Sequence, residues 1–267
     1  MSIRHYNPRR RRHGELSPRV NGLLNAVVGI AILLQILYPL VDGEILRLLT
    51  INVVYWGAGA MLFHALLAYG TRYAITYFLF TFIFALTIEH VGLMTQWPFG
   101  DYSYSGNLGL KIFDVPLVVP FAWIMMAHPV LTAARRIAGN WVFLYGGVAL
   151  AAWDLFLDPL MVAQGNWTWV VTGAHVPFQP EIPLSNTFGW LLSGMFLIGV
   201  LHLITPREKR KGGATFRTTD TFLLWTLFSG VIGNLFFFSR PGVAFFAGGI
   251  FGIVLAPYFF NRWLGRP

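Results

Sequence analysis

The chain contains no cysteine, and only 11% of its 267 residues are charged. The first absence excludes disulfides, thiolate metal sites and cysteine nucleophiles together. The second is more telling, because a soluble domain carries about 25% charged residues. Polar groups this sparse cannot cover a water-facing surface, so lipid must be the solvent for most of the chain. Lysine is also scarce. Lys111, Lys209 and Lys211 all fall in connections, so no retinal Schiff base can form inside a bundle. No phosphate-cradling glycine motif opens a helix, which removes the common nucleotide-binding classes.

What is present is apolar and arranged in long runs: 56% of the residues are hydrophobic. A helix needs roughly 20 apolar residues to cross about 30 Å of hydrocarbon. Runs near 20–40, 45–69, 73–91, 115–134, 141–158, 187–204, 220–239 and 241–260 therefore predict an all-α, polytopic transmembrane helix bundle of about eight spans. Residues 1–19 read as a basic cytoplasmic tail and 20–267 as a single transmembrane domain. The first run is long enough to be a span rather than a cleavable leader.

The basic residues test this count. With the N-terminus inside, Arg4, Arg9, Arg10, Arg11, Arg12, Arg19, Arg72, Arg135, Arg136, Arg207, Lys209, Arg210, Lys211, Arg217, Arg262 and Arg266 all fall on the inner side. That is 16 of 19, leaving Arg47, Lys111 and Arg240 outside. The bias is that of a protein of the cell membrane with both termini cytoplasmic. It also accounts for the arginine-rich tail as a contact with anionic lipid, and argues against nucleic acid as a partner, which wants a folded basic surface. The acids show the opposite bias, eight of eleven lying in the outer half. Acids contribute little to topology, so their clustering calls for another reason.

Two outer connections resemble each other. The first unit reads Glu89, then Gly100-Asp101-Tyr102-Ser103-Tyr104, Val115-Pro116 and Trp123; the second reads Asp154, then Gly165-Asn166-Trp167-Thr168-Trp169, Ile182-Pro183 and Trp190. Acid to glycine is 11 residues in both units and proline to tryptophan is 7 in both. Units of about 73–134 and 141–204 are thus expected to form a parallel internal repeat of two helix-loop-helix hairpins, an arrangement that commonly places a site at the repeat interface. Each proline is expected near the first turn of its re-entering helix, where a missing N–H does no harm.

Glu89 and Asp154 lie near the outer ends of apolar helices, and Asp158 follows Asp154 at i+4, on the same helix face. A lipid-facing carboxylate is costly at that depth, so all three are expected to face the bundle interior. Their alternative is a structural role holding the loops. Tyr102, Tyr104, Trp167 and Trp169 read either as an interfacial belt or as a cage of π faces around a cationic centre. His64, His90, His128 and His202 are scattered over four spans and read as packing residues, so no metal is expected. Asp154-x-x-x-Asp158 lacks the second aspartate-rich motif and the basic partners of a magnesium–diphosphate site. Gly248-x-x-x-Gly252 can pack helices within or between chains, which leaves oligomeric state open.

Taken together, Glu89-His-Val-Gly92, Pro98-Phe-Gly-Asp-Tyr-Ser-Tyr104, Asp154-Leu-Phe-Leu-Asp-Pro-Leu-Met-Val162, Gly165-Asn-Trp-Thr-Trp169 and Ile182-Pro-Leu-Ser-Asn186 with Gly189-Trp190 resemble the carotenoid hydratase family of microbial carotenoid biosynthesis. The resemblance covers roughly 85–195. It implies an enzyme that adds water across the terminal C=C of an acyclic carotenoid end group through a tertiary carbocation, giving a tertiary alcohol, without cofactor or metal. Glu89, Asp154 and Asp158 would then be the acid–base set. Asp101, Tyr102, Tyr104, Trp167, Trp169, Asn186 and Trp190 would hold the polyene end, with an apolar channel among the spans for the rest. One segment departs from the family pattern: Gly173-Ala-His-Val-Pro-Phe-Gln-Pro-Glu-Ile182 is longer and lacks an aromatic pair, and is expected to shape the pocket mouth. The competing readings are a membrane transporter or lipid-binding protein for a hydrophobic or small solute, and a non-catalytic scaffold.

Overall fold

The computed structural model describes residues 17–206 and 217–265. The basic residues Arg4, Arg9, Arg10, Arg11, Arg12, Arg207, Lys209, Arg210, Lys211 and Arg266 lie outside the described residues. Eight helices dominate: α1 Pro18–Leu37, α2 Gly43–Tyr69, α3 Thr71–Thr95, α4 Val118–Ile137, α5 Val142–Ala163, α6 Leu184–Ile204, α7 Arg217–Ile232 and α8 Pro241–Leu264. With short turns added at three ends, all eight are long and apolar enough to cross a membrane. A 3-10 turn extends α1 and a π-helical turn, Gly233–Phe237, extends α7. Ser17 caps α1 through its hydroxyl on the Val20 N–H, the usual device for an orphan donor at a helix start.

α4 and α5 form the centre, and the other helices turn large apolar side chains such as Leu79, Phe196, Phe245 and Ile253 outward. An apolar exterior of this kind has nowhere to sit but lipid. α5 and α6 pack closest. A Cβ on Gly194 would lie 3.0 Å from the Gly147 Cα, and a Cβ on Gly146 would collide with Ile198. Small residues at such a crossing let backbones approach, which is how helices associate where lipid supplies no hydrophobic drive. Gly248 packs against Val231 of α7 while Gly252 meets nothing. The glycine pair of α8 therefore serves the bundle at its first member only.

One end of the bundle gathers the basic side chains. Arg135 of α4 reaches the Leu201, His202 and Thr205 carbonyls at the end of α6, Arg136 reaches Asn261 of α8, and Arg262 pairs with Asp220 of α7 at 2.8 Å. At the opposite end three two-stranded ribbons, formed by β1 Tyr102–Tyr104, β2 Lys111–Ile112, β3 Val115–Pro116, β4 Trp167–Trp169, β5 His175–Val176 and β6 Gln179–Pro183, lie over the helix ends.

One boundary differs from expectation for a clear physical reason. The fifth span does not stop at Asp158. It runs on through Pro159 to Ala163. Proline removes the N–H that would pair with the carbonyl four residues back, and here the Leu155 carbonyl instead accepts Gln179 Nε2 at 3.0 Å. The fully buried Gln179 side chain, supplied by the divergent loop, stands in for the missing donor. Pro183 directly precedes α6, as expected, but Pro116 sits in β3 and α4 begins at Val118.

Gln179→Leu is expected to lower stability modestly. Gln179 Oε1 is itself buried without a partner, so the change removes one unpaired acceptor while creating another. The net loss is then one hydrogen bond, about 1 kcal/mol. Pro159→Ala, which restores an N–H facing Leu155, should recover much of it. Unfolding midpoints of the two single variants and the double variant in detergent check this.

Candidate active site

The two connections that resemble each other in sequence pair with each other in space. β1 and β4 run antiparallel, with Tyr102 opposite Trp169, Ser103 opposite Thr168 and Tyr104 opposite Trp167. Beneath this ribbon, Trp123 of α4 and Trp190 of α6 stack at 4.1 Å with an interplanar angle of 7°. The ribbon and the stacked indoles roof and wall a cavity of about 60 Å³ whose lining includes Glu89, Asp158 and Asn186. A water needs about 10–15 Å³ by this kind of measure, so the space suits a few waters or a small chemical group and nothing larger.

All three carboxyl groups are buried, with Glu89 at 4%, Asp154 at 1% and Asp158 at 3% exposure. Glu89 accepts from the hydroxyls of Tyr102 and Tyr104, both at 2.8 Å on Oε2, and from Trp123 Nε1 at 3.1 Å on Oε1. Three neutral donors surround it. A Cβ on Gly92, one turn beyond Glu89, would come within 2.7 Å of the Tyr102 hydroxyl, so the bare backbone there is what admits the phenol. Burial, and next the neighbouring Glu89, push both phenols above their ordinary range, so Tyr102 and Tyr104 remain O–H donors at any physiological pH.

Asp154 and Asp158 share one amide. Asn186 Nδ2 of α6 donates to Asp154 Oδ2 at 3.0 Å and also to Asp158 Oδ2. Asp154 Oδ1 is buried with no partner, and Asp154 lies behind the cavity wall while Asp158 borders the space. The cavity lining contains no lysine or arginine, so nothing cationic balances the acids. Among the described residues no cluster of side chains suits a metal ion.

Of the residues singled out in the sequence, Glu89, Asp158, Tyr102, Tyr104, Trp167, Trp169, Asn186 and Trp190 all border this cavity, and Asp154 adjoins it through Asn186. Asp101 does not. Its side chain is exposed, because strand alternation next to Tyr102 turns it away, and only its carbonyl is used, accepting the Val170 N–H. Trp123 was legible as a repeat position but gave no sign of hydrogen bonding to Glu89. The histidines divide: His90 is on the surface side against the Phe113 carbonyl, whereas His64 and His128 are fully buried and hydrogen-bonded to each other at 2.9 Å in the other half of the bundle.

A second, larger cavity of about 390 Å³ opens between α1, α2, α5 and α7. It is predominantly apolar and shares Thr50, Val54, Leu157 and Met161 with the acid chamber, so these four form the neck, the stretch of lining common to the two adjoining spaces.

Comparison with known proteins agrees with this picture. Residues 49–255 match the family described as carotenoid biosynthesis protein. The chain belongs to that family. A member from Haloarcula japonica, named bisanhydrobacterioruberin hydratase, is 30% identical over 165 residues, covering 58% of this chain and 54% of the relative. The chain thus spans about half the length of that relative. No solved structure matches it. The family match, residues 49–255, takes in both spans that carry the acids and both ribbon strands above them.

Proposed function

We propose that this carotenoid biosynthesis protein is a hydratase that adds water across the terminal C=C of an acyclic carotenoid end group. The observation that carries the reading is the meeting of two buried carboxyl groups, Glu89 and Asp158, in an aromatic-walled cavity, with Asp154 behind Asp158 and an apolar groove sharing four lining residues with that cavity. A polyene has little solubility outside such a groove, and alkene hydration needs a proton donor, a stabilised tertiary cation and one delivered water.

Asp158 is the proton donor. It faces the cavity, and with Asp154 it shares the amide NH₂ group of Asn186, which draws the two carboxyls together; a single proton held between them relieves their repulsion. Asp154 is the positioning partner behind it. Glu89, held by three neutral donors, is the carboxylate that faces the developing cation. The proton passes from Asp158 to the CH carbon of the alkene, and the positive charge falls on the tertiary carbon. Trp190 and the ribbon aromatics offer π faces to that charge. Water bonds to the tertiary carbon and gives its proton to Glu89, which returns one proton to Asp158 across the cavity. Each step uses only groups of the chain.

The pairing of Tyr102 with Trp169 and of Trp123 with Trp190 supports reading units 73–134 and 141–204 as a duplicated pair about a local two-fold axis. The ribbon face is then the extracytoplasmic one, with both ends of the chain inside.

The protein in lipid nanodiscs, given a ψ-end carotenoid such as lycopene in H₂¹⁸O, is expected to yield a product heavier by one labelled water. Pigment of unchanged mass in the presence of folded protein would overturn the reading and favour a carrier of the polyene.

A further inference from the structure

A third cavity, of about 260 Å³, lies on the ribbon face among Gly43, Glu44, Arg47, Asn107, Gln164 and Asn166. Its character differs from that of the groove, since polar side chains outnumber apolar ones around it, with Leu46 and Thr50 completing the lining. Thr50 borders all three cavities: the acid chamber, the apolar groove and this polar vestibule. From the geometry we infer that the vestibule is the water inlet of the reaction and that Thr50, Tyr38 and Gln164 are the positioning residues that pass water from it to the acid chamber.

Three observations meet here. First, the Tyr38 hydroxyl donates to Gln164 Oε1 at 2.6 Å and lies 3.1 Å from Thr50 Oγ1, whose own hydrogen also reaches the Leu46 carbonyl at 2.8 Å. Two hydroxyl hydrogens thus serve three contacts, and a rotor that exchanges partners is suited to hand on a water. Second, Gln164 Oε1 also accepts Asn166 Nδ2 at 3.2 Å, tying the same group to the β4 side of the vestibule. Third, on the chamber side the indole N–H of Trp167 is buried and faces Asp158 without closing a hydrogen bond of ordinary length to it, so that a water between the two would complete the contact. It borders the cavity beside Asp158 and offers a donor to a water oxygen. Water reaching Asp158 by way of the groove would have to cross a predominantly apolar space that, on the hydratase reading, the polyene occupies.

This inference rests on the hydratase reading and adds a partition that reading does not require. When the cation forms and no water arrives, the neighbouring carbon loses a proton and the alkene is restored. In D₂O the donor delivers deuterium to the CH carbon, and a failed capture in which a different hydrogen leaves, from that carbon or from an adjacent methyl group, keeps deuterium in the recovered alkene. The experiment measures hydrated product and deuterium in unreacted carotenoid together, for the protein in nanodiscs. Thr50→Val, Gln164→Leu and Tyr38→Phe are expected to slow hydration about tenfold while raising deuterium per product formed. Thr50→Ser, which keeps the hydroxyl, should behave as wild type. Hydration at the wild-type rate in all three variants overturns the inlet. So does a fall in hydration without any rise in exchange in Gln164→Leu and Tyr38→Phe, since that marks lost acid chemistry rather than lost water. If the unaltered protein gives neither product nor exchange, the hydratase reading itself has failed.

Discussion

Asp158→Asn is expected to reduce hydration by about 10²–10⁴-fold, the range that a positioned general acid contributes, while the folded protein accumulates normally. Asparagine matches aspartate in shape but carries no transferable proton, and its amide still meets Asn186, so the change is chemical rather than steric. Asp154→Asn provides the contrast. Asp154 touches no part of the cavity, and its Oδ1 has no partner to lose. That variant should keep a measurable rate, between wild type and Asp158→Asn, with an altered pH profile because the shared proton no longer has two carboxyls to bridge. Product formation by both variants at the wild-type rate would remove the acid from the Asp154–Asp158 pair. Loss in both to the same floor would mean that the pair acts as a unit and that the roles given to its two members do not separate.

The parts of this site that were legible in the sequence are those set by local periodicity. The i+4 spacing puts Asp154 and Asp158 on one face, and the cost of a charge in lipid turns that face inward; both follow from helix geometry and solvation alone. The equal spacings from acid to glycine and from proline to tryptophan marked the two loops as related. They did not reveal that β1 pairs with β4 across about 65 residues of chain, because strands of three residues carry no usable alternation. Asn186 was recognised only through the family resemblance; its bridging of two aspartates depends on how closely α5 and α6 approach, which the glycines at 146, 147 and 194 permit. Gln179 was invisible for a different reason. A glutamine in a divergent loop gives no hint that a proline twenty residues earlier has left a carbonyl for it. The eight spans were read from run length, which ended the fifth at 158, because an apolar run gives no sign that a side chain replaces the donor missing at Pro159 and lets the helix continue.

Leu157→Trp is expected to separate the end group from the rest of the polyene. Leu157 belongs to the four-residue neck that joins the acid chamber to the apolar groove, and it sits beside Asp158 on α5 without hydrogen-bonding duties. An indole there narrows the neck while leaving Glu89, Asp154, Asn186 and the ribbon as they are. In the proposed reaction a full-length carotenoid threads the neck to bring its terminal alkene to Asp158, and displacement of about 1 Å from reactive geometry can lower a rate about 10²-fold. A short isoprenoid alkene carrying the same end group does not occupy the groove, and should be hydrated by Leu157→Trp and by wild type at similar rates. The selectivity between the two substrates is therefore the quantity to measure, as a ratio of kcat/KM values. If both substrates slow together, the tryptophan has disturbed the acids and the groove is not tested by it alone; Val54→Trp, entering the neck from α2 on the opposite wall, then decides. If neither variant alters the ratio, the polyene reaches Asp158 by another path, and the large cavity between α1, α2, α5 and α7 is not where the substrate lies.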